Sequence, residues 1–190
     1  METKNIMIVG VGGQGSLLAS KMLGHLLLSE GYDVKVSEVH GMSQRGGSVV
    51  TYVRYGSKVS SPVIDKGEAD YIVSFELLEA ARWLPFLKKD GQIVTNIQQI
   101  DPMPVITGAA AYPEDLVAKL KNSGAKVDAL DCLKLAEEAG SAKAVNLVLM
   151  GRLSHYFDLP EEAWMRSLEA NVPAKFLELN KKAFELGKNA

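Results

Sequence analysis

The amino-acid sequence predicts an α/β protein in which a mostly parallel sheet is flanked by helices, and three observations support this prediction. Short apolar runs alternate with segments of helical periodicity over residues 1–131. A glycine-rich turn follows the first apolar run, Ile6–Val9, and opens the first helix, which is typical of Rossmann-like sheets. The last third of the chain has a helical pattern throughout. We therefore expect a single domain over residues 1–190, with an α/β core at 1–131 and a helical extension at 132–190.

The first elements are predicted to form a βαβ unit. Apolar residues recur at helical spacing from Ser16 to Ser29, and Gly31 ends that helix. A second apolar strand follows at Val34–Ser37, with Glu38 at its carboxyl end. A strand, a helix and a strand within about 35 residues favour a right-handed crossover between parallel strands.

The next segment departs from this alternation. A polar, glycine-rich loop at residues 40–48 stands where a second helix would be expected. Val49–Tyr55 then has the composition of a strand, and Gly56 with Ser57 could turn it back towards Val59. We therefore predict a β-hairpin insertion after the second strand.

The remaining elements follow from apolar periodicity and from chain-breaking residues. Asp101–Pro104 is expected to break regular structure and to begin an extended loop. The predicted strands are 71–75, 92–96 and 126–130, and the predicted helices are 77–84, which Pro85 ends or kinks, 114–122 and several within 132–190. The terminal helix is predicted to bury one apolar face made of Phe176, Leu179, Ala183 and Leu186.

Composition excludes several classes of function. The 190 residues carry 21 Lys plus Arg against 23 Asp plus Glu, a formal net charge of −2. Such a balance provides no electrostatic footprint for nucleic acid or for an anionic membrane. Cys132 is the single cysteine, so the chain can form neither an internal disulfide nor an iron–sulfur or zinc site from its own thiolates. We expect no metal site, and a buried structural thiol is the favoured interpretation of Cys132.

The sequence also predicts a cytoplasmic protein. Met1–Lys4 leads directly into a strand-like run without the pattern of a signal peptide. The most apolar stretch, residues 142–157, is too short and too interrupted by polar residues to span a bilayer. It is interpreted as a core helix, and no membrane partner is expected.

The first motif is a glycine-rich turn that satisfies G-x-G-x-x-G. It comprises Gly10, Val11, Gly12, Gly13, Gln14 and Gly15, directly after a strand and before a helix. Glycines permit a close approach to phosphate, and the helix N-terminus attracts anions. Glu38, at the end of the second strand, could hold a ribose hydroxyl. The alternative is that the glycines only allow close packing of helix and sheet, and that Glu38 is a surface acid.

The second motif runs from Glu38 to Ser48 and should lie beside the first. Consecutive N–H groups at Gly46 and Gly47 could form an anion-binding nest, and Arg45 offers a planar fork for phosphate or carboxylate. Ser43 and Ser48 add hydroxyls, and His40 could transfer a proton. A simple connecting loop is the alternative. No recognisable catalytic set accompanies the two motifs: there is no nucleophile elbow, Walker lysine or outstanding pair of carboxylates.

The two motifs together resemble the gamma domain of 2-oxoacid:ferredoxin oxidoreductases. The stretch Asp101–Gly108 is more particularly similar to the small (beta) subunit of the indolepyruvate branch of that family. The resemblance covers nearly the whole chain. It implies a subunit, inactive alone, of a complex that oxidatively decarboxylates a 2-oxo acid to an acyl-CoA, CO2 and reduced ferredoxin.

The resemblance also implies where the cofactors and partners lie. Thiamine diphosphate and 4Fe-4S clusters are expected on a partner subunit, coenzyme A is a co-substrate, and ferredoxin is reached through the complex. The glycine loops would face the partner's thiamine site or the coenzyme A path. The candidate cofactor-binding or interface residues are Gly10, Gly12, Gly13, Gln14, Gly15, Glu38, His40, Ser43, Gln44, Arg45, Gly46, Gly47 and Ser48. Two alternatives stay open: a stand-alone nucleotide-dependent oxidoreductase, and a nucleotide-sensing module without chemistry.

Overall fold

The computed structural model describes residues 2–38, 43 and 45–190. Within these ranges the chain forms a mixed sheet of six strands flanked by helices, which confirms the predicted α/β class. The strands are β1 (Lys4–Val11), β2 (Asp33–Glu38), β3 (Ser48–Gly56), β4 (Ala69–Ser74), β5 (Leu87–Asn96) and β6 (Lys126–Leu130). The helices are α1 (Ser16–Ser29), α2 (Leu77–Trp83), α3 (Met103–Ile106), α4 (Leu116–Asn122), α5 (Cys132–Ala139), α6 (Val145–Ser154), α7 (Glu161–Asn171) and α8 (Leu177–Lys188).

The strand order is β2-β3-β1-β4-β5-β6, and it places one strand between the two parallel strands of the predicted βαβ unit. β1, β4, β5 and β6 are parallel neighbours, as expected. β1 and β2 point the same way but do not pair, because β3 lies between them and is antiparallel to both. In this register Val53 faces both Ile6 and Val36. The crossover through α1 therefore passes over one strand.

The predicted turn towards Val59 is wrong. Residues 57–68 contain no strand, and the antiparallel pairing after the second strand is that of β2 with β3. Both edges of β3 are already paired, so a return strand would find no edge to bind. Val59 instead donates its backbone N–H to Oδ2 of Asp33, at 2.8 Å.

The segment after β5 also differs from its prediction. Asp101–Pro104 was expected to begin an extended loop, but α3 starts at Met103. Pro102 is the extended residue before this helix, and Pro104 lies in its first turn, where a backbone N–H has no partner within the helix. The prolines therefore initiate a short helix instead of preventing one.

Two apolar cores lie on opposite faces of the sheet. Ile6 and Ile8 of β1 face a layer made of α1 and α5–α8, whereas Met7 and Val9 face α2 and α4. This alternation is the two-residue period of a strand buried on both sides. The helices of residues 132–190 share a core with the sheet and with α1.

The terminal helix buries most of the predicted apolar face. Ala183 is buried, and Leu179 and Leu186 pack partly buried against the core, whereas Phe176 precedes α8 and is 48% exposed. Phe184 and Gly187 are buried in addition. A Cβ at Gly187 would collide with the carbonyl oxygen of Val148, so this glycine allows the close approach of α6 and α8.

Candidate functional site

The first glycine-rich loop, residues 10–15, lies where successive connections of the sheet change sides. β1 leads to α1 on one face, and its parallel neighbour β4 leads to α2 on the opposite face. Such a switch opens a crevice at the carboxyl ends of the strands, where Rossmann-like proteins bind their ligands. The loop is therefore at the position that the sequence predicts for a binding site.

Gln14 spans this crevice with its side chain. Its Oε1 accepts a hydrogen bond from the backbone N–H of Val11 at 2.8 Å, and its Nε2 donates to the carbonyl oxygen of Phe75 at 3.0 Å. The same Nε2 lies 3.4 Å from Oε1 of Gln98, just beyond β5. Gln14 therefore braces the loop against the ends of β4 and β5.

The glycine positions of this loop require this residue for different structural reasons. A Cβ at Gly10 would lie 2.9 Å from Cβ of Phe75 and 2.9 Å from Oε1 of Gln14. Gly13 and Gly15 have φ angles of 99° and 87°, which favour glycine. Gly15 begins α1 without a side-chain cap, and the N–H groups of Gly13 and Gly15 have no partner among the described residues. This end of α1 can therefore accept an anion.

The second glycine-rich loop is joined directly to the first. The N–H of Gly12 donates to the carbonyl oxygen of Gly47 at 2.9 Å, and the N–H of Gly47 donates to the carbonyl oxygen of Ser43 at 3.0 Å. Gly46 has a φ of 96°. The nest predicted from the N–H groups of Gly46 and Gly47 is therefore incomplete, because the N–H of Gly47 is used within the loop.

Arg45 lies exposed on this loop. Its guanidinium makes no hydrogen bond or ion pair with any residue that the structure describes. An arginine offers five donors in a fixed planar fork. Arg45 therefore remains available to an external phosphate or carboxylate.

Ser48, the first residue of β3, is hydrogen-bonded to a residue of α2. Its hydroxyl donates to a carboxylate oxygen of Glu79, which is 4% exposed. Glu79 also accepts hydrogen bonds from Arg82 at 2.9 Å and from the indole of Trp83 at 3.3 Å. The sequence prediction did not include Glu79. Its only signal is an acid within the apolar start of a short helix, and that pattern does not indicate which group it contacts.

Glu38, the predicted ribose ligand, is hydrogen-bonded within the fold. It ends β2, and its Oε1 accepts a hydrogen bond from the hydroxyl of Ser20 in α1 at 2.7 Å. In a dinucleotide-binding sheet this acid stands on the strand adjacent to β1. Here β3 occupies that adjacent position, although Glu38 still lines one cavity together with Gly12 and Gly13 of the first glycine loop.

Two cavities flank the first glycine loop. One, of about 300 Å³, is lined on the β3 side by Gly12, Gly13, Leu17, Glu38 and Thr51, among others. The other, of about 500 Å³, is lined on the β5 side by Gly13, Gln14, Gln98, Leu133 and Lys143, among others. The first contains a carboxylate and the second an ammonium group, so the loop has surroundings of opposite charge on its two sides.

A second buried acid, Glu76, holds the segment after β5. Its carboxylate caps α2 through the N–H of Glu79 at 2.8 Å and accepts the hydroxyl of Tyr112 at 2.5 Å and the N–H of Ile100 at 3.1 Å. Burial, followed by the hydrogen bond to Glu76, raises the pKa of Tyr112. The carboxylate of Glu76 therefore has a structural role as a hydrogen-bond acceptor. No sequence motif indicated this role.

The remaining predicted site residues separate into three groups. His40 and Gln44 lie outside the described residues. Ser43, Gly46 and Gly47 belong to the second loop, which Gly12 brings against the first. Cys132 is buried at the start of α5, and burial raises the pKa of its thiol, with Asp131 adding to the shift. A neutral buried thiol is unreactive, which agrees with the predicted structural role.

Two further properties concern the described part of the chain. Within it, no group of three or more His, Cys, Asp or Glu side chains is arranged to hold a metal ion. Among its helices, none combines the length with the apolar character that crossing a bilayer requires.

The fold and the two joined loops define a Rossmann-like α/β protein, and the residues that the structure describes form no recognisable catalytic set. Residues 5–190 match the family described as pyruvate ferredoxin/flavodoxin oxidoreductase. The chain belongs to this family, which confirms the resemblance found in its two motifs.

Curated relatives narrow the position of the chain within the family. It is 46% identical to the indolepyruvate oxidoreductase subunit IorB of Thermococcus kodakarensis, over 100% of this chain and 96% of that protein. It is 37% identical to the subunit of the same name in Archaeoglobus fulgidus, over 97% of this chain and 94% of that one. These relatives have nearly the same length as the chain.

Crystal structures confirm the fold. Subunit PORC of pyruvate oxidoreductase from Thermotoga maritima superposes with a TM-score of 0.76 at 20% identity, covering 100% of this chain and 97% of that one. The 2-oxoglutarate:ferredoxin oxidoreductase of Magnetococcus marinus gives a TM-score of 0.72 at 20% identity. The match covers all of this chain but 31% of that longer chain.

Proposed function

We propose that this chain is the small subunit of an indolepyruvate:ferredoxin oxidoreductase. The complex would oxidatively decarboxylate indolepyruvate or a related aryl pyruvate, giving an acyl-CoA, CO2 and reduced ferredoxin. The observation that carries the proposal is 46% identity, over the whole chain, to a protein of nearly equal length named as an indolepyruvate oxidoreductase subunit. We expect the complex to work in the cytoplasm, where coenzyme A and ferredoxin are available.

We assign thiamine diphosphate and the 4Fe-4S clusters to a partner subunit. A cluster requires several thiolate ligands, and the chain has only Cys132, which is buried and whose pKa is raised. The described residues therefore do not fit a cluster. The assignment of thiamine diphosphate to the partner follows what the family resemblance of the two motifs implies.

The role we propose for this chain is to present its two glycine loops to the substrates of the complex. The hydrogen bond from Gly12 to Gly47 places the start of α1 and the loop bearing Arg45 side by side. Both features attract anions. The loops would therefore bind an anionic part of coenzyme A or of the 2-oxo acid along the path to the partner's thiamine site.

The structure argues against the two nucleotide alternatives. In a dinucleotide-binding sheet the second strand pairs with the first, whereas here β3 pairs with β1, and Oε1 of Glu38 already accepts the hydroxyl of Ser20. A titration of the purified chain with NADH or NADPH, followed by fluorescence, tests this point. We expect no binding below millimolar concentration, and tight binding would revive the oxidoreductase or sensing hypothesis.

Anaerobic purification of the native protein from its own cell extract tests the proposed complex. We expect the chain to co-elute with a larger subunit that carries thiamine diphosphate and iron–sulfur clusters. That complex should reduce ferredoxin with indolepyruvate and coenzyme A faster than with pyruvate, 2-oxoglutarate or branched 2-oxo acids. Elution as a lone chain, or no activity with any 2-oxo acid, would contradict the proposal.

Arg45→Ala tests the proposed role of the loops. Loss of a charge-assisted hydrogen bond worth about 1.5 to 3 kcal/mol should raise the KM for coenzyme A or for the 2-oxo acid roughly 10- to 100-fold. Arg166→Ala is the matched control. Arg166 is also exposed, but it lies on α7, away from the loops, and pairs with Glu30 after α1 at 2.9 Å. An Arg45 variant that assembles normally and keeps both KM values would refute this role.

A further inference from the structure

Among the described side chains, Ser48 is the only hydrogen-bond partner of the buried Glu79 carboxylate that lies outside α2. The other side-chain partners of Glu79, Arg82 and Trp83, follow it within one turn of α2. Glu79 is 4% exposed, and a buried carboxylate is stable only when donors surround it. Ser48 therefore belongs both to the exposed edge of the second glycine loop and to a buried hydrogen-bond network.

This network determines the direction of the Ser48 hydroxyl group. A carboxylate accepts hydrogen bonds and has no hydrogen to donate, so the hydrogen of the Ser48 hydroxyl must point towards Glu79. The lone pairs of Oγ are then left for the exposed side of the residue. Ser48 can accept a hydrogen bond from a ligand, but it is not oriented to donate one to an anion.

The backbone next to Ser48 is held as well. Gly47 accepts a hydrogen bond from Gly12 and donates one to Ser43. A Cβ at Gly47 would lie 3.0 Å from Cα of Ser43, so the loop is tightly packed at this position. The backbone therefore fixes the position of the Ser48 hydroxyl, and Glu79 fixes the direction in which its hydrogen points.

We propose that Glu79 is a positioning residue that makes Ser48 a hydrogen-bond acceptor for an N–H or O–H group of the ligand, while Arg45 takes the anionic group of that ligand. This inference rests on the proposed function, in which the ligand at the loops is a substrate of the complex. Among those substrates, coenzyme A carries both kinds of group, since its phosphates are anionic and its pantetheine arm has amide N–H groups. The 2-oxo acid has a carboxylate, and in indolepyruvate its one neutral donor is the indole N–H.

The test measures steady-state kinetics of the assembled complex with Ser48→Ala, Glu79→Gln and the double variant. One neutral hydrogen bond is worth about 1 kcal/mol, so each single variant should raise the KM for coenzyme A about fivefold while kcat changes little. The double variant should be no worse than the single variants, because all three lose the same oriented acceptor. Additive effects, or a fall in kcat alone, would overturn the proposal.

Two matched variants distinguish positioning from structural support. Arg82→Ala removes a different partner of the same carboxylate and should leave the KM for coenzyme A unchanged. Ser48→Thr keeps the hydroxyl at the start of a strand and should restore the KM that Ser48→Ala loses. If Glu79→Gln does not assemble, the comparison of Ser48→Ala with Ser48→Thr decides whether the oriented hydroxyl is needed, because Ser48→Thr keeps the donor to Glu79 that Ser48→Ala removes.

The outcomes separate this proposal from the proposed function. A wild-type complex that is active with coenzyme A, together with unchanged KM values in the Ser48 and Glu79 variants, refutes the inference alone. A rise only in the KM for indolepyruvate also refutes the assignment to coenzyme A. A wild-type complex without 2-oxo acid activity, and without binding of coenzyme A in a calorimetric titration, refutes both.

Discussion

The backbone N–H of Gly12 donates a hydrogen bond of 2.9 Å to the carbonyl oxygen of Gly47 and so connects the two glycine-rich loops of this chain. The bond lies at one end of the β1–β3 ladder, next to the pair of Val11 with Ser48. Two motifs that are separate in the sequence therefore form one surface.

Gly47→Ala is expected to disturb the contact between the loops. The new Cβ would lie 3.0 Å from Cα of Ser43, so Ser43 or Gly47 must move, and the bond from Gly12 should lengthen. We expect a destabilisation of about 1 kcal/mol or more and a clear loss of activity in the assembled complex. Activity assays and urea unfolding measure the two effects.

Gly24→Ala is the matched control for this substitution. A Cβ at Gly24, within α1, would make an ordinary contact of 3.7 Å with Val36. Alanine favours a helix interior over glycine by up to about 1 kcal/mol, so this variant should be as stable as the wild type or more stable. Equal behaviour of the two variants would show that the loop contact is unimportant.

Gln14→Ala should destabilise the fold although no apolar core residue changes. The substitution leaves the N–H of Val11 and one acceptor site at the carbonyl of Phe75 without their side-chain partner. An unpaired buried polar group costs about 1 to 3 kcal/mol, which urea unfolding can measure. Gln99→Ala changes the same residue type at an exposed position and should have almost no effect. Similar midpoints for both variants would contradict the bracing role of Gln14.

Gly187→Ala should be among the most destabilising single substitutions in the helical layer. Its Cβ would collide with the carbonyl oxygen of Val148, so α6 and α8 would have to separate. Overpacking of this kind costs about 1 to 3 kcal/mol or more. Thermal unfolding measures the loss, and Gly31→Ala, which meets no atom within 4 Å, reports the cost of its positive φ alone. A smaller loss at position 187 than at position 31 would be inconsistent with the proposed packing.

Cys132 should resist thiol reagents in the native protein. Burial raises the pKa of its thiol, so at pH 8 the folded chain has almost no reactive thiolate, whereas the unfolded chain titrates near about 8.5. With a disulfide reagent we expect a reaction many times slower without urea than in urea. Rapid labelling of the native chain would disprove the burial of this residue.

The same shift predicts a dependence of stability on pH. Because the folded pKa lies above the unfolded one, the contribution of Cys132 is fully present below about pH 8.5 and decreases as the pH rises above that value. The unfolded chain loses its proton first, which favours unfolding. Comparison with Cys132→Ala, in which this part of the pH dependence should disappear, isolates the contribution of the thiol.

Much of the local structure could be predicted from the sequence because it depends on local patterns. α1 begins at Ser16 and ends at Ser29, and β6 covers residues 126–130, as predicted. Apolar periodicity, a terminating glycine and the two glycine motifs are enough to identify these elements. The short helix α3 after Pro102 could not be predicted in this way, since a proline can interrupt a helix or begin one.

Less of the candidate site could be predicted, because its contacts join distant parts of the chain. The sequence identified Gly12, Gly47 and Ser48 but not the bond between the loops, the bracing role of Gln14 or the carboxylate of Glu79. Each of these contacts depends on the order of the strands. The sequence contained no local signal that β3 would enter between β1 and β2.

By itself, the sequence therefore determined the α/β class, most of the elements, the family and the two motifs that carry it. Only the tertiary structure decided the strand order, in which β3 lies between β1 and β2, and the contact of Glu79 with Ser48. The physical reason is that helices and turns are chosen by interactions among near neighbours. Strand pairing and buried hydrogen bonds depend instead on which distant groups can be satisfied together in one packed structure.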